Sequence, residues 1–291
     1  MSTAESAPVE PACELDRPNV ARVYNYYLGG NSNWAIDREF GKTVLNHFPQ
    51  VRSVAMATKL FANRAVRYLV RDGITQFIDV GAGMPAIGNT HEIADEIDPR
   101  TRVVYLDSEP VAVAHSQLLL DRCGNPSRHA AVHADLRRPD ELWARVDDAG
   151  VLDLDAPIAL LLTSVLHVRQ PGPDGVDVGA QAVARCRELL APGSFLVISH
   201  LTADGVPEHS RTQLAALKKL YDTQSSPLIL RSADEVRELF GDFDLVEPGL
   251  TWTPQWHPEQ SYPEDGTPTT PTTEFSTPNE SVSLGGVGKK R

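Results

Sequence analysis

The chain has 291 residues, 41% of them hydrophobic and 23% charged, enough to bury one large α/β core or two small ones. Its formal net charge of −12 argues against sequence-independent binding to nucleic acid or to an anionic membrane, both of which need a basic surface. The cysteines, Cys13, Cys123 and Cys186, are odd in number and far apart, so they spell neither a metal set nor a disulfide framework.

Residues 1–16 are polar, contain Pro8 and Pro11, and read as a disordered tail. They lack the basic and apolar regions of a signal peptide, and no apolar run is long enough to cross a bilayer. A soluble, cytoplasmic protein is therefore expected. In DRPNVARVYNYYLGG, three tyrosines, Tyr24, Tyr26 and Tyr27, fall within four residues. Positions one or two apart point in different directions on a helix, so at least one tyrosine should face a ligand or a partner element. Residues 53–70 carry Val54, Ala57, Phe61, Ala65 and Tyr68 at steps of three or four, the pattern of an amphipathic helix. Arg64, Arg67 and Arg71 form another stripe, expected to be solvated. Arg64 is singled out as able to reach the next loop and pair with a ligand carboxylate.

The stretch TQFIDVGAGMP, residues 75–85, organises the rest. A short apolar run carrying Asp79 breaks into Gly81, Ala82 and Gly83, as a buried parallel strand does when its turn must pass close to a ligand. A dinucleotide fingerprint would place a third glycine where Ala86 stands, and helix signals begin only at Asn89 and Glu92. The long loop favours a bulkier, less anionic ligand than a pyrophosphate. The D-x-G-x-G pattern resembles the first motif of Rossmann-like methyltransferases that bind S-adenosylmethionine.

Strand and helix patterns then alternate: strands at 102–107, 129–135, 157–163 and 194–201, with helices at 110–122, from 139, and at 175–190. Such alternation predicts a parallel sheet with helices on both faces. Helices follow at 207–223 and from the Ser232–Glu235 cap, then a strand over 243–252 and a last one over 281–288. Between these, residues 254–279 are rich in proline and threonine and read as a surface loop.

Ligands of such sheets lie at the carboxyl ends of the strands. Asp107 follows the glycine turn at the offset of a ribose-binding acid, and at an open strand end its replacement should leave the ligand-free protein as stable as before. Asp135 can accept from an adenine amino group, with the backbone N–H of Leu136 beside it. His167 lies just after the fourth strand and His200 at the end of the fifth, and either can act as a base at neutral pH.

The succession IDVGAGMP, VVYLDSEP, VHADLRRPDEL, LLLTSVLHV and LAPGSFLVIS is similar to the motifs of class I S-adenosylmethionine-dependent methyltransferases. RPNVARVYNYYLGGNSNWAIDREF, NTHEIA, PQW and the terminal GGVGKK resemble one family among them, called S-adenosyl methyltransferase and formerly a domain of unknown function. The resemblance implies a seven-stranded, mostly parallel sheet with an antiparallel last strand, and an N-terminal helical cap, residues 17–72, over the cofactor. Residues 17–291 would form a single domain. Asp79, Gly81 and Gly83 would hold the methionine end, Asp107 the ribose and Asp135 the adenine. The pattern around Ser108-Glu109 departs mildly from the family's.

The expected cofactor is S-adenosyl-L-methionine, held by Asp79, Gly81, Ala82, Gly83, Asp107, Ser108, Asp135, Leu136, Arg64 and Tyr27. His167 is the candidate catalytic residue, and no metal is expected. The expected partner is a small-molecule methyl acceptor. A catalytically silent cofactor-binding module and a nicotinamide-dependent oxidoreductase are the alternatives.

Overall fold

In a computed structural model the described residues are 16–261 and 275–291. The expected disordered tail, Asp16 apart, and the middle of the proline- and threonine-rich stretch lie outside them. Eight strands form one sheet in the order β3-β2-β1-β4-β5-β8-β6, with β7 also paired to β8. The strands are β1 Gln76–Val80, β2 Arg102–Asp107, β3 His129–His133, β4 Ala159–Leu162, β5 Phe195–Leu201, β6 Asp244–Leu245, β7 Thr251–Trp252 and β8 Ser283–Lys289. The first five are mutually parallel, and β8 runs antiparallel to β5, β6 and β7. The order reverses between β1 and β4, which opens the crevice where ligands of such sheets bind.

The two faces follow from the period of two along each strand. Ile78, Val80, Val104, Leu106, Leu160, Leu162, Leu196 and Ile198 form one core. It includes residues of α6 Pro139–Asp148, α7 Gly179–Leu189 and α9 Ala233–Glu238. Phe77, Val103, Tyr105, Leu161, Phe195 and Val197 form the other core, with α3 Val51–Arg71 and α4 Thr90–Asp95. A third cluster joins α1 Val20–Tyr27, α2 Ala35–His47 and the start of α3 to α8 Glu208–Gln224. α5 Pro110–Cys123 packs along β2 and β3.

Two expectations need correction. The strand read over 243–252 is divided into β6 and β7. Pro248 has no N–H to donate, and the Gly249 N–H turns back to the Val246 carbonyl at 2.8 Å, so the chain folds away between them. The stretch after β7 is not all loose surface. Trp256 is fully buried and meets Phe61 and Tyr68 edge-on at 5.5 and 5.6 Å. The terminal glycines serve the same core: a Cβ on Gly285 would stand 2.8 Å from the Phe61 ring. Lys290 then donates to the carbonyls of Arg187 and Leu190 at 2.7 and 2.6 Å, closing the C-terminus of α7.

Candidate functional site

A cavity lies where the ends of β1, β2 and β4 meet α1, α3 and α8. Its floor is the turn after β1. Gly81 and Gly83 take φ of +65° and +66°, a region costly for side-chain-bearing residues, and a Cβ on Gly81 would stand 2.5 Å from Val165. The turn is pinned from β2: the Ala82 N–H reaches the Leu106 carbonyl at 3.1 Å, and the Gly83 N–H reaches Asp107 Oδ2 at 2.8 Å. Asp107 Oδ1 accepts from the Glu109 N–H at 2.8 Å. Burial raises the Asp107 pKa, with these two N–H groups opposing. Asp107 therefore braces the ligand-free turn, and the expectation that its loss would leave stability untouched does not fit this geometry.

Asp79 shares the α3 face of β1 with Phe77, and its Oδ2 accepts from the Thr90 hydroxyl at 2.6 Å. Burial pushes its carboxyl upward, against the field of Lys59 and the Thr90 hydrogen bond. The α4 start is capped as expected, with the Asn89 N–H on Glu92 Oε2 at 2.9 Å. Lys59, from α3, lines the cavity beside Asp79. Burial lowers its pKa, and only the through-space fields of Asp79 and Glu92 oppose.

Arg64 is not in this wall. It is 4% exposed, and its Nε and Nη2 donate to the carbonyls of Trp256 and Thr253 at 2.8 and 2.5 Å. Arg67 is buried as well and pairs with Glu96 at 3.1 Å, so of the expected solvated stripe Arg71 alone is exposed. Arg64 anchors the chain after β7. Asp135 and Leu136 also lie off the cavity wall. Asp135 is paired with Arg137 at 2.6 Å, and Leu136 is in the core.

Ala82, Ser108 and Tyr27 do line the cavity, as do Glu109 and Tyr24. The cap rests directly on the floor: Asn25 Nδ2 donates to the Pro85 carbonyl at 3.2 Å, and Gly83 faces Ala21. Ser164, just past β4, holds a φ of +61°, strained for a serine by about 1–3 kcal/mol. Its N–H donates to Ser199 Oγ at 2.9 Å and its hydroxyl to Tyr24 at 3.4 Å, while Tyr24 donates to the Ala55 carbonyl at 3.0 Å. Burial pushes Tyr24 and Tyr221 up to about 12, so both are protonated phenols at neutral pH.

His167 lines the cavity, with its Nδ1 buried and unpartnered among the described residues. Burial, then His200 and Arg231, lower its pKa to about 3. His200 is turned away from the cavity: Nδ1 meets the Leu201 carbonyl at 2.8 Å, and Nε2 lies 2.6 Å from Arg231. Arg231 is itself paired with Asp177 at 2.9 Å. His200 is thus a packing and hydrogen-bonding residue.

Lys59, Thr90, Ser164 and Tyr221 escaped the sequence reading. Each sits inside an ordinary helical or strand-end pattern and gains its place only by long-range packing. Sequence spacing also gave no metal set, although His91, Glu92 and Cys123 offer ligand atoms within 4.8 Å of one another. Those groups are engaged: His91 Nδ1 with the Tyr105 hydroxyl at 2.7 Å, Glu92 with Asn89, and Cys123 Sγ with the Leu119 carbonyl at 3.2 Å.

Comparison with known proteins accords with this arrangement. A family model described as S-adenosyl methyltransferase matches residues 6–291. The crystal structure of a candidate methyltransferase from Thermobifida fusca YX is 31% identical, with 98% of this chain and 100% of that chain covered and a TM-score of 0.79. A protein of the DUF574 family from Streptomyces avermitilis is 30% identical over 94% of this chain and 98% of its own, with a TM-score of 0.81. No curated protein matches. The nicotinamide and silent-module alternatives give way to this match: the chain belongs to the S-adenosyl methyltransferase family and is an S-adenosyl-L-methionine-dependent methyltransferase.

Proposed function

We propose that the protein transfers a methyl group from S-adenosyl-L-methionine to a small molecule held inside the cavity, beneath the N-terminal helices. The observation that carries this reading is the unequal lining of that cavity. Its acidic and basic side chains, Lys59, Asp79, Asp107 and Glu109, gather at the ends of β1 and β2 and on α3 above them. This half suits a cofactor with an amino group, a carboxylate and a ribose. Asp79 holds the amino group, Asp107 the ribose hydroxyls, and Gly81–Gly83 keeps the backbone clear of side chains where the cofactor runs. Lys59 takes the role expected of Arg64, because it lines the cavity with no hydrogen bond or ion pair among the described residues and can pair with the carboxylate.

When bound, S-adenosyl-L-methionine supplies an electrophilic methyl group on a sulfonium sulfur. The protein's task is then alignment and exclusion of water. The Asn25–Pro85 hydrogen bond holds α1 across the floor, and Tyr24 and Ser164 fix the wall where β4 ends. His167 is neutral at pH 7 and a weak base there, so it orients the acceptor by a hydrogen bond instead of drawing off its proton in advance.

The test is calorimetric titration with S-adenosylhomocysteine. Lys59→Met should weaken binding by roughly 10- to 100-fold, the loss of one charge-assisted contact. The same variant should bind a cofactor analogue lacking the carboxylate as well as the unaltered protein does. Equal affinity of both proteins for S-adenosylhomocysteine would remove Lys59 from the site.

A further inference from the structure

The half of the cavity away from these acidic and basic side chains is built differently. Phe48, Val54, Leu201, Leu217 and Leu228 belong to the cap cluster and also line the cavity. Among them stand the phenols of Tyr27 and Tyr221, whose oxygens lie 3.4 Å apart. Its other polar groups are neutral as well. The Ser164 hydroxyl spends its proton on Tyr24, which leaves lone pairs free to accept. His167 has a buried nitrogen without a partner among the described residues. Arg231, behind His167, is already paired with Asp177.

A carboxylate, phosphate or ammonium placed here would meet no charged side chain on this part of the lining, and its burial would cost several kcal/mol. An uncharged ring would instead bury its faces against aromatic and aliphatic side chains. A hydroxyl or N–H on that ring could donate to a free lone pair of Ser164. The strained backbone of Ser164 is consistent with a residue held in place for a ligand. Resting on the methyl-transfer reading above, we infer that this chamber is the acceptor site and takes an uncharged, largely apolar ring compound bearing a hydrogen-bond donor, anchored by Ser164.

The experiment uses the full chain saturated with S-adenosylhomocysteine and three probes of one shape: 2-naphthol, 2-naphthalenesulfonate and 2-naphthylmethylammonium. Titration calorimetry should show 2-naphthol binding at least about tenfold more tightly than either charged probe. Val168→Trp, which fills the chamber from the segment after β4, should abolish naphthol binding while S-adenosylhomocysteine binds within about twofold of the unaltered protein. Ser164→Ala should weaken 2-naphthol by about five- to tenfold, the loss of one hydrogen bond. Preferential binding of a charged probe, binding of none of the three, or naphthol binding that survives Val168→Trp would overturn the inference and leave the methyl-transfer reading standing. A protein that is folded but does not bind S-adenosylhomocysteine would instead overturn that reading.

Discussion

Asp107 gives the sharpest test, because it acts on the protein before any cofactor arrives. Its two oxygens accept from the Gly83 and Glu109 N–H groups, both at 2.8 Å, and it is 9% exposed. A hydrogen bond to a charged group is worth about 1.5–3 kcal/mol, and burial of the carboxylate offsets part of this pair. Asp107→Ala deletes both acceptors and leaves two N–H groups without them, so the ligand-free protein should lose about 2–4 kcal/mol of unfolding free energy. Asp107→Asn keeps one acceptor oxygen and should fall about midway. Chemical denaturation without ligand reads this directly, and titration with S-adenosylhomocysteine on the same samples reads the proposed ribose contact separately. Each carboxylate oxygen keeps a second lone pair, so bracing the turn and accepting from a hydroxyl are compatible. If Asp107→Ala leaves the unfolding free energy unchanged and only affinity falls, the carboxylate does not brace the turn and the geometry argued above is wrong.

The other expectations concern residues whose environment the fold defines. Arg64→Ala should cost about 3 kcal/mol in denaturant unfolding, since it leaves the Thr253 and Trp256 carbonyls unpaired, yet leave S-adenosylhomocysteine affinity unchanged; a tenfold loss of affinity in a stable variant would return Arg64 to the site. His167, with a pKa lowered to about 3, should remain neutral by nitrogen-15 NMR down to about pH 4. Its folded pKa lies below the unfolded value near 6.5, so its contribution to stability is present above about pH 6.5 and is lost as pH falls towards the folded pKa. A His167 titration near 6.5 would contradict the burial. Asp79 has the opposite sign: its raised pKa gives stability below the unfolded value near 3.9 that disappears as pH rises through the folded one. A cationic amino group needs the ionised form, so cofactor affinity should fall as pH drops through a value above 3.8, and Asp79→Asn should flatten that profile.

The order of elements was legible in the sequence because strand and helix periods are local and the punctuating residues act locally. The glycine turn after Asp79, the Asn89–Glu92 and Ser232–Glu235 capping boxes and the alternation from β1 to β5 all arise from interactions within a few residues. The family resemblance added the antiparallel last strand, which no local pattern announces. What the tertiary structure decided was which polar side chains face the cavity. Arg64 and Lys59 occupy the same helix, and either could have met a carboxylate. Arg64 is taken by carbonyls 189 and 192 residues away, whereas Lys59 lines the cavity and has no fixed partner among the described residues. Asp107 likewise braces a turn 24 residues before it, and His167 loses its basicity to burial and to charges brought in by His200 and Arg231. Periodicity can say which face of an element is apolar. Which buried donor finds an acceptor, and which is left for a ligand, depends on packing between segments far apart in the chain.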